Sequence, residues 1–64
     1  MRDYSVTLAT ERPDKKTPVY VVRGDAFRQA RRKAAQTRMA MQIWIRERAW
    51  LPWEKLEEIG GNKA

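Results

Sequence analysis

The chain has 64 residues, no cysteine and no histidine, and 14 Lys plus Arg against 8 Asp plus Glu, a formal net charge of +6. Disulfide frameworks, thiolate chemistry and zinc sites are thereby excluded, which leaves carboxylates as the metal-ligating side chains and hard cations as the ions they would suit. At this size the expectation is a single small domain over residues 1–64, close to the lower limit at which an uncrosslinked chain buries enough apolar surface to fold alone.

The first element is read in YSVTLATE, residues 4–11, where Tyr4, Val6 and Leu8 alternate with Ser5, Thr7 and Ala9. Period two predicts a half-buried strand. RPDKKTP, residues 12–18, joins two prolines to Asp14, Lys15 and Lys16 and reads as an exposed loop. VYVVR, residues 19–23, is again β-branched and aromatic, so the two runs predict an antiparallel hairpin.

Gly24 then reads as a break and Asp25 as the N-cap of a helix. Residues 26–50 contain neither glycine nor proline and are rich in helix formers, which predicts one long helix ended by Pro52. Trp53, Leu56 and Ile59 recur at helical spacing in a segment closed by Gly60 and Gly61, which predicts a short second helix that folds back. The last residues, 61–64, are expected to fray. The fold class is therefore α+β: a two-stranded antiparallel hairpin packed on a long helix with a short C-terminal helix, ββαα. The rival is ββαβ, because residues 41–48, MQIWIRER, also alternate as a third strand would.

On the long-helix reading, residues placed at about 100° intervals bring Phe27, Ala30, Ala34, Thr37, Met41, Trp44 and Ile45 onto one face, toward the hairpin. Arg28, Arg31, Arg32, Arg38 and Arg46 then share an adjoining flank, from which Lys33 stands apart. Met39, Ile43 and Trp50 form a second apolar patch that the short helix would cover, or that a second copy would bury in a homodimer. Between Asp25 and Glu47 there is no acid to pair with these arginines. Guanidinium forks match phosphate and carboxylate geometry, although long arginine stems also cover the edge of an apolar stripe on an ordinary solvated face.

The usual nucleophile and base pairs cannot be assembled, since Ser5 is the sole serine and no histidine or cysteine accompanies it. No Gly-rich phosphate loop is present. Glu54, Glu57 and Glu58 at helical spacing fit a solvated acidic helix start better than a cation site. The aromatic pattern of an RNA-recognition fold, the GXXG of a KH domain and zinc-finger spacing are all missing. No metal, cofactor or catalysis is expected. No apolar run approaches the roughly 20 residues that cross a bilayer, and MRDYSV is not the core of a signal peptide, so the expectation is a cytoplasmic protein that does not engage membranes.

Two functional expectations follow. In one, the arginine flank, helped by Arg23, Lys15 and Lys16, binds nucleic-acid phosphates with little sequence preference. In the other, the chain is a small regulatory adaptor or inhibitor of the kind found among accessory proteins of bacteria or their phages, docking on an acidic protein surface, with a hairpin edge offered to a partner strand.

Overall fold

The computed structural model describes residues 2–60. In chain order these form β1 (Asp3–Leu8), β2 (Val19–Tyr20), α1 (Arg23–Thr37), β3 (Met41–Arg46) and β4 (Glu54–Ile59). The architecture is α+β. One antiparallel sheet in the order β2-β1-β3-β4 carries one helix.

The alternation read in β1 sorts its side chains between two faces. Tyr4, Val6 and Leu8 meet α1, and the register Tyr4↔Ile45, Val6↔Ile43 and Leu8↔Met41 puts the apolar residues of β3 beside them. From α1 come Ala26, Ala30 and Ala34, all buried, with Phe27 half-buried at the margin. Alanines four residues apart make a smooth stripe, so the helix backbone lies close over the sheet. Ile43 is fully buried at the centre.

The opposite face is covered without a second helix. Ser5, Thr7, Gln42 and Trp44 point away from α1, yet all four are buried, because the 9–18 loop folds across them. The Ser5 hydroxyl donates to the Pro18 carbonyl at 3.1 Å. The Trp44 indole N–H donates to Thr7 Oγ1 at 2.8 Å, and Thr7 Oγ1 has the Leu8 and Glu11 carbonyl oxygens as acceptors for its own proton, each 2.9 Å from it. Arg12 caps the Trp44 ring, 5.3 Å from its centroid. Each buried side-chain nitrogen or oxygen on this face thus has a partner, as burial demands.

The helix begins earlier and ends sooner than expected. Val22 is its N-cap, with extended backbone and no side-chain cap, and its carbonyl accepts from the amides of Asp25 and Ala26. Gly24 and Asp25 therefore lie inside the first turn. At the other end Arg38 adopts the left-handed conformation (φ 58°, ψ 27°), and its amide donates to the Ala34 carbonyl at 2.8 Å. Thr37 Oγ1 donates to the Lys33 carbonyl and accepts from the Met39 amide, closing the end. This is the αL termination usually given to glycine or asparagine.

The continuous helix over 26–50 is thus corrected: its second half contains β3, the third strand of the ββαβ rival, although that rival lacked the fourth strand. The short C-terminal helix is corrected too, because the segment is β4. A bulge explains why it read as helical. Ile43 pairs with Glu57 and Trp44 with Lys55, so Leu56 is an extra residue in the ladder. That extra residue brings Leu56 and Ile59, three apart, to the same core face. The expected patch of Met39, Ile43 and Trp50 is dissolved, since Ile43 is interior while Met39 and Trp50 are exposed. The fraying expected for 61–64 falls outside the described residues.

Candidate polyanion-binding surface

Once the helix stops at Thr37, the arginine flank must be rebuilt from its parts. Arg28, Arg31 and Arg32 remain together on α1, all exposed. At about 100° per residue they span an arc of roughly 100° nearly opposite the buried alanines, so the sheet pushes them outward. Arg28 meets Asp25 at 3.6 Å, an exposed pair of the kind that contributes little. Among the described residues Arg31 and Arg32 have no carboxylate within ion-pair distance.

Two further arginines stand at the helix ends. Arg23 is the first helical residue rather than the end of a strand, and its guanidinium lies 5.2 Å from the Phe27 ring centroid. Arg38 occupies the left-handed cap and is exposed.

Arg46 does not join them. On β3 it faces away from α1, donates from Nε to Asp3 Oδ2 at 3.1 Å, and lies 4.1 Å from the centroid of Trp53. Its side chain and that of Asp3 are each only 19% exposed. This is a clamp tying the start of β1 to β3 and Trp53. Lys15 and Lys16 are also separated from α1, because they project from the loop on the far side of the sheet. Asp14 holds their turn: its Oδ1 accepts from the Lys16 amide at 2.9 Å, the Thr17 amide at 3.1 Å and the Thr17 hydroxyl at 3.0 Å. The Lys16 amide foremost, then the Thr17 hydroxyl, hold the Asp14 carboxyl below its ordinary value of 3.8.

The acids gather elsewhere. Glu54, Glu57 and Glu58 sit on β4, an edge of the sheet, with Lys55 and Glu58 paired at 3.4 Å. The helical grouping expected of these carboxylates is not formed, since the strand sends Glu57 and Glu58 to opposite faces. Among the described residues no three potential ligands gather as a metal site.

Sequence reasoning also missed the tip between β3 and β4. Arg48–Leu51 is a tight turn closed by the Leu51 amide donating to the Arg48 carbonyl at 3.0 Å, and Trp50 on it is 79% exposed. Beside it, Ile45, Arg46, Glu47, Leu51, Pro52 and Glu54 line a pocket of about 210 Å³. The Arg2 guanidinium holds Glu47 at 3.0 Å, and that contact raises the Arg2 pKa above its ordinary value. The sequence signal for this tip was the cluster of two tryptophans around Leu51 and Pro52.

No protein-family model, curated protein or solved structure matches the chain.

Proposed function

We propose that the protein is a small non-catalytic binding module that contacts the phosphate backbone of nucleic acid through the outward face of α1. The interface consists of Arg28, Arg31 and Arg32, with Arg23 and Arg38 at the two ends of the helix. Arg46, Lys15 and Lys16 are left out of it, the first by its engagement with Asp3 and Trp53 and the lysines by their place beyond the sheet.

The observation that carries this reading is that the solvent side of α1 has three neighbouring arginines and one acid, while the glutamates of β4 line the sheet edge. Such a helix meets a polyanion as a short cationic ridge. It offers charge and forked donors that match phosphate oxygens, so phosphate contact is the mode this reading takes.

Three to five neutralised phosphates imply that log affinity falls against log salt with a slope of about −2.7 to −4.5 on duplex DNA. Titration at about 50 mM and about 300 mM salt measures it. Replacing Arg28, Arg31 and Arg32 together by glutamine should weaken binding to all sequences alike and flatten the slope by roughly 3. Equal affinity at the two salt concentrations would overturn the reading. Recovery of one acidic protein partner after nuclease digestion, with no nucleic acid bound, would put the same arginines on a protein surface instead.

A further inference from the structure

The strand registers collect several unassigned features at one end of the molecule. Tyr20 pairs with Tyr4, Asp3 with Arg46, and Glu54 with Ile45, so the end of β2, the start of β1, the end of β3 and the start of β4 all lie there. The start of α1 follows β2 to the same end. Of the exposed large apolar residues, Val21, Val22, Trp50 and Leu51 all belong to these connections.

The aromatic rings at hand are not equally occupied. Arg12 lies over Trp44, Arg46 over Trp53 and Arg23 over Phe27. Among the described residues no cation covers Trp50. It stands on the Arg48–Leu51 turn with its indole in solvent, and among the described residues its turn neighbour Arg48 has no carboxylate within ion-pair distance. Of the acids nearby, Asp3 is engaged by Arg46, Glu47 by Arg2 and Asp25 by Arg28, which leaves Glu54, at the start of β4, as the one without an ion pair among the described residues. A bare aromatic face beside an uncommitted guanidinium is complementary to a flat π system linked to a phosphate.

We propose that the β3–β4 tip is a stacking site for an unpaired nucleobase, with Trp50 as the platform and Arg48 on the adjoining phosphate. This rests on the nucleic-acid reading of α1 and narrows it, since a base becomes available to Trp50 only where the strand is single. The molecule then has two contacts of different kind. The helix ridge follows phosphates of any strand, and the tip selects strands with unstacked bases. Base–aromatic stacking is tolerant of sequence because every base has a π face.

The test titrates the full chain with oligo(dT) and with a blunt DNA duplex, comparing wild type with Trp50→Ala and Trp50→Phe. Circular dichroism should show unchanged folding, since the replaced side chain is exposed. The expected result is a loss on the order of tenfold in oligo(dT) affinity for Trp50→Ala, partial recovery in Trp50→Phe, and unchanged duplex affinity. If Trp50→Ala binds oligo(dT) as wild type does while the triple arginine variant loses both ligands, the tip proposal is overturned and the α1 reading stands. If wild type binds neither ligand at about 50 mM salt, both are overturned. A tryptophan emission shift with phosphatidylglycerol vesicles but not with oligo(dT) would also overturn the tip proposal and make it a lipid-facing contact.

Discussion

Gly24 occupies the first turn of α1 without a positive φ, and a methyl added to its backbone would meet nothing within 4 Å. Its glycine therefore costs backbone entropy and returns no packing. Gly24→Ala should stabilise the fold by about 0.5–1 kcal/mol, read as a higher urea midpoint with unchanged m. A lower midpoint would mean that the first turn needs the glycine in a way its dihedrals do not reveal. The same residue shows how a correct local signal was misplaced. Gly24 and Asp25 resemble a break followed by a cap, but Val22 already had extended backbone and an accepting carbonyl, so the helix started around it. Arg38 misled in the opposite direction, since arginine in the left-handed region gives no warning in the sequence. By contrast, the buried pairing of Trp44 with Thr7 follows directly from the alternation of both strands, once residues 41–46 are taken as extended.

At the level of elements, the hairpin and α1 from Ala26 onward were legible, because period two and turn residues are local signals, although the second strand read over 19–23 shortens to Val19–Tyr20 as Arg23 enters the helix. β4 was not. Glutamate, lysine and leucine favour a helix, and only the exposed edge of β3 with the bulge at Leu56 makes the segment a strand; tertiary context of this kind routinely outweighs propensity. The arginine flank was split in the same way: Arg28, Arg31 and Arg32 still share a face of α1, Arg38 sits in its left-handed cap and Arg46 is carried off on β3. Alanine spacing under α1 fixes how closely helix and sheet approach. Ala30 is fully buried, so Ala30→Leu must lift the helix or force neighbouring side chains off their rotamers, at a cost of about 1–3 kcal/mol. For a domain this small that is a large share of the total stability. Thermal unfolding should show the loss, whereas a neutral Ala30→Leu would mean that α1 floats on the sheet with room to spare.

Across the whole molecule, charge is divided between a cationic helix and an acidic strand at the sheet edge. A field of this shape should orient the approach to a polyanion, with α1 leading and β4 trailing. Replacing Glu54, Glu57 and Glu58 by glutamine should speed association with duplex DNA at about 10 mM salt, where the screening length is about 30 Å. The gain should vanish above about 0.1 M, where that length shrinks to about 10 Å. Stopped-flow fluorescence would resolve the two regimes, and a rate gain that persists in high salt would show that the glutamates act by contact and not through the field. Those glutamates have another consequence. β2 offers only two paired residues as an edge, and β4 presents its longer edge studded with charge, a combination that frustrates strand addition by a neighbour. Copies crowded side by side, as the proposed nucleic-acid contact would bring them, would thus stay discrete beads, kept from zipping into a shared ribbon.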